Sequence, residues 1–156
     1  MKVTLIQTGK TRSDYLHDGI SDYQKRLSHY ISFNELTLPD LKSKKNIPVE
    51  EIKVREGEQL LKKFKPADFV ILLDENGKNY SSVELANYLQ NKITIGKDIV
   101  MVIGGAFGFS SEVYRRANDL ISLSRMTFSH QMVRLILAEQ LYRALTIIRG
   151  EPYHHV

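Results

Sequence analysis

The chain has 156 residues, 42% of them hydrophobic, which suits one domain (residues 1–156) with a sizeable core. Eight tyrosines and six phenylalanines argue against disorder. The absence of cysteine excludes disulfides, thiolate metal sites and cysteine nucleophiles, and the net charge of +4 permits an RNA partner without requiring one.

The opening MKVTLIQTGK has no long apolar region or small-residue cleavage site, so residues 3–9 read as a first strand and not as a signal peptide. No apolar run approaches the roughly 20 residues that span a bilayer. A cytoplasmic protein with no membrane partner is expected. Residues 11–30 place Tyr15, Leu16, Ile20, Tyr23 and Leu27 at helical spacing behind Ser13, a suitable N-cap. Phe33, Leu36 and Leu38 mark a second strand over 31–40, and a lysine-bearing loop follows at 41–48. Pro48, Glu50 and Glu51 open a charged helix over 49–64, expected on the surface, with Gly57 unfavourable in its middle.

FVILLD (69–74) is the near-continuous apolar run of a strand covered on both faces, and ENGK (75–78) reads as a turn. Ser81 and Glu84 have the spacing of a capping box for a helix reaching about Leu89. DIVMVI (98–103) reads as another buried strand. A short helix (110–119), a short strand (120–124) and a loop follow, and a long helix (131–150) is stopped by Gly150. This alternation predicts an α/β fold with a mostly parallel sheet flanked by helices.

MVIGGAFGFS (101–110) sets Gly104, Gly105 and Gly108 directly behind a buried strand. The spacing is neither G-x-G-x-x-G nor a Walker loop, and no lysine follows Gly108, which counts against a phosphate cradle. Two readings stand: a tight turn that lets a helix pack close, or bare backbone facing a ligand. LSRMTFSH (123–130) and LLDENGK (72–78) also leave strand ends, where open parallel sheets place their ligands. Three converging loops predict a small-molecule pocket.

Residues 131–149 are apolar on nearly every face and need cover on two sides. One is the sheet. The other is either a partner subunit, giving a homodimer, or further elements of the same chain. Glu139 and Arg143 are spaced to pair, and Arg134 and Arg149 read as phosphate contacts or as solvated cations. Tyr153, His154 and His155 form either a frayed tail or a flap over a substrate base. His17, His29 and His130 show no metal-ligand spacing, and no metal is assigned.

IGGAFG (103–108), LSRMTFSHQMVR (123–134), LAEQLYRA (137–144) and RGEPYHHV (149–156), preceded by SDYQKRL, EGEQLL and LLDENGK, resemble the RlmH (YbeA) family of SPOUT-class RNA methyltransferases over essentially the whole chain. The resemblance implies an α/β domain with a deep C-terminal trefoil knot, acting as a homodimer. It implies S-adenosylmethionine bound in the knot and methylation of N3 of a pseudouridine in helix 69 of large-subunit (23S) ribosomal RNA on the assembled ribosome. By matching positions it implies cofactor contacts from Leu73, Gly104, Leu123, Ser124, Arg125, Met126, Thr127 and Phe128. The N3 proton must leave before or during methyl transfer. His154 and Tyr153 are candidates to assist it, and Arg143 to stabilise the charge developing on the base.

Overall fold

A computed structural model describes residues 1–41 and 46–155. Residues 42–45 of the lysine-bearing loop lie outside them. Strands and helices alternate along the chain: β1 (Lys2–Thr8), α1 (Asp14–Leu27), β2 (Ser32–Leu38), α2 (Val49–Leu61), β3 (Phe69–Asn79), α3 (Ser82–Ile95), β4 (Ile99–Ile103), α4 (Ser111–Arg116), β5 (Asp119–Ser122) and α5 (Met132–Ile148). The sheet order is β2-β1-β4-β3-β5, and each described pairing is parallel.

Strand periodicity divides the core into two layers. Val3, Leu5, Ile71, Ile99, Met101 and Ile121 face α1, α3 and α5. Ile6, Val70, Leu72, Val100 and Val102 face α2 and α4. The expected capping box is present: Ser81 Oγ accepts from the Glu84 N–H (3.2 Å) while Glu84 Oε2 accepts from the Ser81 N–H (2.7 Å). Gly150, at φ +69°, ends α5. Its N–H bonds Ile147 O (3.0 Å), and the Glu151 N–H bonds Thr146 O (2.9 Å), a Schellman closure that turns the tail back.

The structure corrects several readings. ENGK does not end β3. The strand continues to Asn79 with a register shift between Leu73 and Lys78, so that Ile121 of β5 pairs with both. The helix over 49–61 is not simply superficial, because Ile52, Glu56 and Leu60 are buried. Gly57 is required in it: a Cβ there would lie 2.4 Å from Ser110 Oγ and 3.2 Å from a Val113 methyl on α4.

The apolar surface of α5 is largely covered within the chain. One side packs on α1 and the turn after it, with Leu135 against Gly19 and Tyr142 against Tyr23 and Tyr30. Another side packs on α3, and the third meets the sheet. Arg134, offered as a phosphate contact or a solvated cation, is 1% exposed. Its guanidinium donates to Thr8 O (2.8 Å), Thr11 Oγ1 (3.1 Å) and His130 O (3.2 Å), and burial lowers its pKa.

The β3–β5 approach is set by Gly77, where an added Cβ would sit 2.5 Å from the Ile121 backbone carbon. Backbone on both sides leaves no flexible group to yield. Gly77→Ala is expected to lower stability by about 1–3 kcal/mol in urea unfolding; an unchanged midpoint would contradict this packing.

Candidate active site

Parallel β3, β4 and β5 finish at one edge of the sheet, and the segments leaving them meet there. They enclose a cavity of about 630 Å³, within the roughly 300–1,000 Å³ of ordinary small-molecule sites. Leu73, Gly104, Leu123, Ser124, Arg125, Met126, Thr127 and Phe128 all line it. The β3 bulge supplies a wall of Asp74, Glu75 and Asn76, and the first turn of α5 supplies Val133.

Local hydrogen bonds hold these walls. Ser122 Oγ donates to Ser124 O (2.9 Å), and Ser124 Oγ accepts from the Met126 N–H (2.9 Å). Ser129 Oγ accepts from the Met132 N–H (3.1 Å) and so joins the loop to α5. The glycine loop is tightly packed on one side and open to the cavity on the other. A Cβ on Gly104 would meet the Phe109 ring at 2.9 Å, and one on Gly105 the Glu56 carboxylate at 2.6 Å. Gly108 turns the chain at φ +82°. The same residues present their backbone to the cavity.

Sequence reasoning missed Tyr114. Its ring meets Phe109 edge-on at 5.7 Å, and its hydroxyl donates to Asp74 Oδ2, while Asp74 Oδ1 accepts from the Asn76 N–H (2.8 Å). The Asp-x-Asn spacing signals that local turn. Nothing in the spacing signals the tyrosine.

Arg143, Tyr153 and His154 do not line this cavity. They form a second cluster around Glu139. Glu139 Oε1 accepts from Arg143 Nε (3.0 Å), Arg143 Nη2 (2.5 Å) and the Tyr153 hydroxyl (3.1 Å). The expected Glu139–Arg143 pair is therefore formed, with side chains 19% and 24% exposed. Arg143 Nη1 lies 3.2 Å from His154 Nδ1, and its guanidinium covers the Tyr153 ring at 4.7 Å. Tyr23 and Tyr142 complete the seat, the first 3.2 Å from the Tyr153 hydroxyl and the second edge-on to its ring at 4.7 Å. The tail is thus docked and not frayed. Burial, Tyr23 and Glu139 push the Tyr153 pKa well above that of an ordinary tyrosine. Among the described residues, no group of three or more His, Asp or Glu side chains could hold a metal ion, and no helix is long and apolar enough to cross a membrane.

A strand-end cavity on a parallel sheet, walled by a glycine loop and a hydroxyl-rich loop, belongs to a ligand-binding α/β protein. Comparison with known proteins makes the class specific. The family model described as "Predicted SPOUT methyltransferase" matches residues 1–154, and the chain belongs to that methyltransferase family. The chain is 52% identical to the ribosomal RNA large subunit methyltransferase H of Flavobacterium johnsoniae and 49% identical to the protein of that name from Parabacteroides distasonis, each over 99% of both chains. A solved structure of a probable methylase family protein from Haemophilus influenzae shares the fold at TM-score 0.53 and 12% identity, covering 99% of this chain and 70% of that one.

Two part-exposed tyrosines give a test at alkaline pH. The hydrogen bond to Glu151, with burial, raises Tyr30 to about 12. Burial, with the bond to Asp74, raises Tyr114 to about 12. Because the folded values lie above the ordinary 10.0, the stability these hydroxyls contribute is complete below pH 10 and is lost as pH rises through 12. Phenolate absorbance should show two tyrosines titrating near 12, and Tyr114→Phe should remove one and flatten the fall in unfolding midpoint.

Proposed function

We propose that the chain, as one SPOUT domain over residues 1–156, methylates N3 of a pseudouridine in helix 69 of large-subunit ribosomal RNA. In this reading S-adenosylmethionine is the methyl donor and the substrate is the assembled ribosome. The enzyme acts as a homodimer in the cytoplasm, and the loops around the cavity belong to a trefoil knot. The single observation that carries the reading is that all eight positions matching the family's cofactor motif line one cavity at the strand ends.

The cavity suits that cofactor. It offers backbone from the glycine loop, hydroxyls from Ser124 and Thr127, carboxylates from Asp74 and Glu75 and a cation from Arg125. Such a mixed set matches a ligand that carries hydroxyls, an amino group and a carboxylate together. When bound, the cofactor supplies an activated methyl group. The chain's own task is to bind and orient it and to receive the base.

The second cluster supplies the groups that act on the base. His154, Tyr153 and Arg143 face the base while its N3 proton leaves and negative charge develops on it. From Val133, which lines the cavity, to Arg143, the helix rises about 15 Å, so the two clusters of one chain are too far apart to share one base. A second copy that presents its Arg143, Tyr153 and His154 to this cavity completes the site. Met132, Ile136, Glu139 and Arg143, at three- and four-residue spacing, form a part-exposed stripe on α5 suited to that contact.

Incubating ribosomes that lack the modification with the protein and labelled S-adenosylmethionine, then mapping the label in ribosomal RNA by mass spectrometry, tests the assignment. Label is expected on the helix 69 pseudouridine; label elsewhere, or none, would overturn it. In the same assay His154→Ala should lower turnover by about 10²–10³-fold while calorimetry shows unchanged cofactor affinity.

A further inference from the structure

The base chemistry proposed above leaves open how the tail groups are oriented, and Glu139 answers it. One of its carboxylate oxygens, Oε1, receives two N–H groups of Arg143 and the Tyr153 hydroxyl, within 3.1 Å in each case. Its other oxygen accepts from Gln140 Nε2 (2.7 Å). The carboxylate sits on a helix, so its position is fixed by the backbone of α5 and not by the tail.

Arg143 has no acceptor atom. Its Nη1 must therefore donate to His154 Nδ1 across the 3.2 Å that separates them. That contact occupies the Nδ1 lone pair and places the ring proton on Nε2. His154 then offers an N–H and has no free lone pair with which to take a proton. Tyr153 likewise has its hydroxyl proton directed at Glu139 and stays protonated, since its pKa is raised.

We infer that Glu139 is a positioning residue that fixes Arg143 and, through it, His154 as hydrogen-bond donors, so that the tail stabilises an anion instead of removing a proton. The inference rests on the function proposed above. The N3 proton passes to solvent water, and the charge it leaves spreads over N3 and the two flanking carbonyl oxygens of the base. Donors held in place before the reaction stabilise that charge without reorganising. His154 Nε2–H and the Arg143 guanidinium are two such donors.

Nitrogen-15 NMR of the ring nitrogens of His154 in the full-length protein tests the tautomer directly. The expected signature is a protonated Nε2 and a bare Nδ1; a protonated Nδ1 with bare Nε2 would overturn the inference without any variant. In the ribosome assay, His154→Gln, which keeps an N–H donor and has no base, should retain far more turnover than His154→Ala. Equal loss in both would show that a base had been removed and would overturn the inference. Glu139→Ala should lower kcat roughly a hundredfold, the scale of an ångström's misplacement, and shift the His154 tautomer balance. Glu139→Gln, which keeps the shape and one acceptor, should recover part of both. Calorimetry with S-adenosylmethionine reports that each variant is folded. Unchanged kcat and tautomer in Glu139→Ala would sink the positioning role, whereas failure of the parent protein to label ribosomal RNA would sink the proposed function instead.

Discussion

The architecture hangs on one buried cation. Arg134 projects from the first turn of α5, 1% exposed, and ties His130 O to Thr8 O at the end of β1 and to Thr11 Oγ1 just past it. Gln131 adds to the clamp by accepting from the Arg12 N–H (3.0 Å) and donating to Lys10 O (3.1 Å). A buried guanidinium with one partner missing costs several kcal/mol, so the segment after β1 and the start of α5 hold each other. This fixes where the 123–130 loop can lie, which is over the strand ends as one wall of the cavity. It also fixes the direction of α5 and so carries Glu139 and Arg143 about two to three turns along the helix, away from the cavity. Both halves of the candidate site are consequences of how this helix is anchored.

The strand ends were readable because continuous apolar runs such as FVILLD and DIVMVI announce buried parallel strands, and ligands gather where such strands stop. The capping box at Ser81 and the closure at Gly150 were readable because both are local. The extension of β3 through ENGK was hidden, because the bulge arises from pairing with Ile121, more than forty residues later. Arg134 was hidden for the same reason: helical spacing does not distinguish a solvated arginine from one whose partners include Thr8 and Thr11, more than 120 residues away. The Glu139–Arg143 pair is an i,i+4 contact and was visible. Its extension to Tyr153, and from there to Tyr23, which is 130 residues from that tyrosine in the chain, required the fold.

At the glycines, close packing and an open cavity wall come from the same small residues. Gly104 and Gly105 are small because Phe109 and Glu56 press against them from the protein side. The same smallness leaves backbone at the cavity wall.

The central claim is the proposed division of labour along α5, in which the cavity of one subunit would work with the tail of another. Mixed dimers test it most directly. Thr127→Trp blocks the cavity from an exposed loop position, and His154→Ala disables the tail, so each homodimer should be inactive. Heterodimers isolated with two affinity tags should recover methyl transfer to ribosomes, because one intact cavity then faces one intact tail. Heterodimers as inactive as both parents would show that cavity and tail must belong to the same chain and would contradict the account.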